Sequence, residues 1–164
     1  MTAKTSAAIS SRAETLSLEK AANMLLEECR MVLPGLQALF GFQLVAVFSA
    51  TFKEELSGPE QFVHLTAMLF AVVAAALIMA PAAFHRRQGV DCVTREFLAV
   101  STRLMHWSMF PLALAIALDL YLIGRVIGDA VTGATLAVLA LAAFYTLWGV
   151  LPASQRLQRF IARD

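Results

Sequence analysis

Apolar residues in this chain come in long blocks separated by short charged stretches. Leu65–Phe84 carries no charged residue, and as a helix it is long enough to cross a bilayer core of roughly 30 Å. Three further blocks are also long and apolar: Met31–Phe52 and Ala130–Pro152 without a charged residue, and Leu104–Gly124 with one, Asp119. The apolar runs are too long for strands of a membrane barrel and do not alternate. The pattern therefore predicts an all-α integral membrane protein, a four-helix transmembrane bundle with spans over 31–52, 62–84, 104–124 and 130–152.

Ahead of the first span, Ser17–Arg30 places Leu18, Ala22, Leu25 and Cys29 on one helical face, predicting a short amphipathic helix over 17–30. This is a lead-in packed under the bundle or a membrane-surface helix, and the weak basic face favours the first reading. Residues 1–16 have neither apolar periodicity nor the apolar core of a signal peptide, so they read as a disordered tail. Lys53–Glu60 is a connector with a Gly58-Pro59 turn signal. His85–Arg103 is a longer connection in which Asp91–Ala99 has the composition of a short helix, and residues 153–164 form a basic C-terminal tail.

Composition agrees with the pattern: 59% of residues are hydrophobic and 15% charged, against about a quarter charged in soluble domains. The net charge is +1, and no basic stripe with interleaved aromatics occurs, which argues against nucleic-acid binding. The distribution of charge is more informative than its sum. With both termini cytoplasmic, Lys4, Arg12, Lys20, Arg30, Arg86, Arg87, Arg95, Arg103, Arg156, Arg159 and Arg163 lie inside, leaving Lys53 and Arg125 outside. This bias sets the expected orientation, with His85, Arg86 and Arg87 as a cytoplasmic basic anchor closing the second span. Cys29 and Cys92 then face a reducing compartment, and they form no metal-type CxxC.

Two segments, LLEECRMVLPGLQALFGFQL at Leu25–Leu44 and LIMAPAAFHRR at Leu77–Arg87, resemble a group of bacterial four-span inner-membrane proteins classed as a domain of unknown function. The resemblance covers most of Leu18–Pro152. It implies a multi-pass protein of the bacterial inner (cytoplasmic) membrane and carries no activity or functional residue with it.

Candidate chemistry rests on the few polar residues inside the spans. Asp119 is the only acidic one, and an ionisable group at such a site marks function unless it is bonded structurally or reaches the interface. Gln43, near mid-membrane, requires a partner on a neighbouring helix or a wet cavity. His64 lies about three residues inside the outer edge of the second span, on a face with Ala67, Ala71 and Ala75, small residues expected at a helix–helix contact. Asp119 lies at a matching depth in the third span, so His64 and Asp119 are expected to meet in the outer leaflet as a polar pair, either purely structural or one whose titration gates or relays protons near neutral pH. His106 and His85 raise the possibility of a b-type haem, against which their depths differ by about 10 Å. Three scattered histidines without a carboxylate cluster do not suggest a metal centre. No Walker A, GxGxxG, GxSxG or HExxH motif is present, so nothing points to an enzyme.

The leading expectation is an oligomeric inner-membrane protein conducting or transporting a small ion or proton, with the alanine face of the second span as a candidate seam between copies. The alternatives are a non-enzymatic accessory subunit packed against a larger membrane complex, and a haem- or quinone-binding electron carrier.

Overall fold

A computed structural model describes residues 2–88 and 94–150. The elements are α1 (Thr2–Val47), α2 (Ala50–Glu55), α3 (Gly58–Gln88), α4 (Arg95–Ile127), α5 (Ala130–Phe144) and a π-helical segment, Tyr145–Val150, that continues α5. No strand occurs among the described residues. Four stretches are long and apolar enough to cross a membrane: Ser17–Val47, Gly58–Arg86, Arg95–Ile127 and Ala130–Val150. Cys92, the start at Asp91 of the separate short helix expected there, and the basic tail 153–164 lie outside the described residues.

Helices run past the boundaries that polarity suggests. The amphipathic stretch 17–30 and the first apolar block belong to one helix, α1, which begins at Thr2, inside the segment whose composition suggests a tail, and ends at Val47 rather than Phe52. Likewise the third apolar block begins within α4, which starts at Arg95 and continues without interruption through Leu104. Polarity changes there because the surroundings change; the backbone has no reason to stop, since Glu, Lys, Arg and Leu are all good helix formers. Side-chain bonds mark the starts of α3, α4 and α5. Thr94 Oγ1 accepts from Phe97 N at 3.1 Å at the start of α4. Asp129 accepts from Thr132 N and Oγ1, both at 2.8 Å, at the start of α5. This exposed Asp129 carboxyl is held below its usual pKa, chiefly by the backbone bond from Thr132 and then by its hydroxyl. At the start of α3, Glu60 reaches back over Ser57-Gly58-Pro59 as in one half of a capping box: its Oε2 accepts from Ser57 N at 2.8 Å and from Ser57 Oγ at 2.7 Å.

Buried positions recur every seven residues on three helices. On α1 they include Ala22, Cys29, Leu36 and Gln43, and on α4 Ser101, Ser108, Ala115 and Leu122. On α3 the buried run Glu60, His64, Ala67, Ala71, Ala74, Ile78 and Pro81 alternates steps of four and three. A step of seven returns to within about 20° of the same direction, whereas a step of eight overshoots by about 80°. On the alanine face expected from the sequence, Ala67 and Ala71 are fully buried and Ala75 is half-buried, and the buried run continues through Ala74. Ala67 and Ala71 are covered within the single chain, so they are not a free seam for a second copy.

The chain divides into two compact units, the first comprising Met1–Phe40 and Val72–Met109, the second Gly41–Ala71 and Phe110–Asp164. Buried in the first are Leu25, Cys29, Leu36, Ala74, Ile78, Phe97 and Ser101, with the His85 ring 5.7 Å from that of Phe97. In the second, alanines dominate the buried set (Ala67, Ala71, Ala113, Ala115, Ala117), together with Leu56, Leu122 and three polar side chains, Gln43, Glu60 and His64. Here α4 and α5 meet through glycine. A Cβ on Gly124 would sit 2.6 Å from Gly133 Cα and 2.8 Å from Gly133 N, and a Cβ on Gly133 would strike the Tyr121 carbonyl oxygen. Gly133 is the one buried residue of α5, whose other apolar side chains, such as Val131, Val138 and Leu139, are exposed.

Candidate functional site

The second unit brings together polar side chains from three helices whose sequences are otherwise apolar. Gln43 stands one turn before the end of α1, His64 two turns into α3, and Asp119 about two turns before the end of α4. Each is on or beside its helix's buried stripe, so each is held among packed small residues: Ala67 follows His64, and Ala115 precedes Asp119 by one turn. Gln43 is 4% exposed and His64 5%, and the Asp119 side chain is 17% exposed.

Gln43 Nε2 donates to Asp119 Oδ2 at 2.7 Å. The Gln43 carbonyl oxygen lies 3.0 Å from His64 Nε2. A carbonyl only accepts, so His64 must carry its proton on Nε2. The other ring nitrogen, Nδ1, is then a lone pair in the neutral imidazole and faces Asp119 Oδ1 at 3.9 Å. That is ion-pair range but about 1 Å longer than a hydrogen bond. The Phe52 ring packs edge-on against the imidazole, with centroids 5.1 Å apart and planes at 67°. The Gln43 Oε1 atom is buried without a hydrogen-bond partner.

One turn before His64 on α3, Glu60 makes a second cluster. Its Oε2 accepts from Ser57 N, and its Oε1 accepts from Arg125 Nε at 2.6 Å, with the Glu60 side chain 10% and the Arg125 side chain 38% exposed. Gln61 Nε2 donates to the Leu56 carbonyl at 2.8 Å, fixing the end of α2 against the start of α3. Hydropathy places both Glu60 and Arg125 in connectors and gives no hint of their pairing; the S-x-x-E spacing of the capping box is the sequence signal that puts Glu60 on α3.

The other sequence candidates lie elsewhere. His106 is exposed and belongs to the first unit, as do half-buried His85 and exposed Arg86; the Arg87 backbone is in α3. No group of three or more His, Cys, Asp or Glu side chains converges on a metal-sized site among the described residues.

Four helices of membrane-spanning length and hydropathy define a multi-pass α-helical membrane protein. Residues 12–152 match the family of unknown function DUF6328, and the chain belongs to that family. Neither the curated proteins nor the solved structures contain a match to it.

Proposed function

We propose that this protein handles protons within the bacterial inner membrane, with His64 and Asp119 as the groups that take up and release a proton, and that an oligomer of the chain conducts or transports that proton or a small ion. The observation supporting this reading is the facing of His64 Nδ1 and Asp119 Oδ1 at 3.9 Å in a buried setting. With Nε2–H committed to the Gln43 carbonyl, one proton is left to share: it sits on Nδ1, giving an imidazolium beside a carboxylate, or on Oδ1, giving a neutral pair. Losing it leaves a net negative charge among apolar helices. An exchangeable proton held between an imidazole and a carboxylate at this depth is what a proton pathway uses.

The positive-inside bias supports both termini on the cytoplasmic side, which sets the pair in the outer half of the membrane. The mainly exposed apolar surface of α5 is the face on which a second copy would pack. Proton flux into liposomes, read by an internal pH dye, tests the function. The reading expects flux from the wild type and its loss in Asp119→Asn and in His64→Ala, both retaining helical circular dichroism. Undiminished flux in both variants would overturn it.

A further inference from the structure

Gln43 touches both members of the pair, through two different groups. Its backbone carbonyl accepts from His64 Nε2 at 3.0 Å and its side-chain Nε2 donates to Asp119 Oδ2 at 2.7 Å. Both partners are distant in sequence, on α3 and α4, while Gln43 comes from α1.

We propose that Gln43 is a positioning residue that decides where the shared proton resides, holding it on His64 Nδ1. The inference rests on the reading of His64 and Asp119 as the proton-binding pair. The carbonyl bond fixes the tautomer, so the nitrogen turned to Asp119 is always Nδ1. It also favours the imidazolium, whose N–H is the stronger donor. The amide donor occupies Oδ2, leaving Oδ1 as the oxygen open to the proton, and it favours the carboxylate, the stronger acceptor. Both bonds thus act in the same direction, toward charged His64 and charged Asp119.

The unpartnered Oε1 of Gln43 gives the amide a second use. Half a turn of the amide would present Oε1 to Asp119, repelling a carboxylate but accepting from a protonated carboxyl. The amide orientation is therefore tied to the protonation state of Asp119. The charged or titratable groups around the pair are few. From α3 come His64 itself and, one turn away, Glu60, which is bonded to Arg125 of α4. Packed on His64 from α2 is Phe52, while Lys53, Glu54 and Glu55 of α2 are exposed. From α1 comes the neutral Gln43.

Infrared difference spectra across a pH titration of the full-length protein in lipid test this. The Asp119 carboxyl band is identified by its loss in Asp119→Asn, and His64 is followed by nitrogen NMR. In the wild type the proton held by the pair should appear on His64 Nδ1 and not as an Asp119 carboxyl band. In Gln43→Leu and in the near-isosteric Gln43→Met, which keep the backbone carbonyl and lose the amide donor, the carboxyl band should appear at least one pH unit higher, a tenfold change in proton affinity. An unchanged midpoint in a folded variant would overturn the proposal. So would a wild-type Gln43 side-chain amide resonance that stays fixed while the pair titrates, a readout that requires no variant. Failure of the underlying reading looks different: neither His64 nor Asp119 of the wild type would gain or lose a proton across the titration.

Discussion

Substituting Gly133 by alanine tests the packing that holds α5 in place. Two opposing effects set the outcome. Alanine is the better helix former by about 1 kcal/mol, so an exposed helical glycine should gain stability when replaced. At Gly133, however, the new methyl group would meet the Tyr121 carbonyl oxygen, and it would lie 3.2 Å from both Arg125 N and Tyr121 Cδ2. Carbon contacts relax at about 3.5–4.0 Å, so α4 and α5 must separate, and the obstacle is largely backbone that cannot rotate aside. Overpacking of this kind costs roughly 1–3 kcal/mol. Set against the gain in propensity, Gly133→Ala should be net destabilising by up to about 2 kcal/mol. Gly35 on α1 supplies the control, because a Cβ there has nothing within 4 Å. Gly35→Ala should therefore be neutral or stabilising, by up to about 1 kcal/mol. Both variants can be compared with wild type by denaturant titration in mixed micelles, following helical circular dichroism. Equal or greater stability of Gly133→Ala would refute the close α4–α5 approach and the reasoning built on it.

Other consequences follow from the same structure. Ala71 is fully buried on α3, so Ala71→Leu should destabilise by roughly 1–3 kcal/mol; unchanged melting would mean that face is open to lipid. The Asp129 cap should show a pH dependence. Its folded pKa is lowered, so its stabilisation is present above the unfolded value of about 3.9 and is lost as pH falls through the folded one. The melting difference between wild type and Asp129→Ala should accordingly be largest near neutral pH and shrink in acid, and a pH-independent difference would contradict the ionised cap. For orientation, a cysteine placed at Ser57 should react with an impermeant thiol reagent in intact cells while Cys92 is protected; the reverse pattern would invert the proposed topology.

The four apolar blocks were legible because hydropathy responds directly to a bilayer, and a charge-free run of helical length is the feature that a span requires. Helix ends were less legible. Hydropathy marks where the surroundings change, and α1 and α4 carry helix through such changes at Arg30 and Leu104. The facing of His64 and Asp119 follows from matched depth on consecutive antiparallel spans, a one-dimensional argument that threading makes possible. The link through Gln43 did not follow in that way. It depends on which direction α1 turns its stripe, and that direction became clear only from the seven-residue repeat of Ala22, Cys29, Leu36 and Gln43. The same repeat accounts for Ala74, and not Ala75, continuing the buried face of α3. Glu60 and Arg125 carry no pairing signal in hydropathy because each sits at a helix end, where a charged residue is ordinarily solvated.

The most direct test of the central claim is a count of protons taken up by the purified protein when an unbuffered micellar solution is taken through neutral pH, compared between wild type and the His64→Ala/Asp119→Asn double variant. The wild type should bind close to one more proton per chain than the double variant. Identical uptake by the two proteins would contradict the assignment of the proton site to His64 and Asp119.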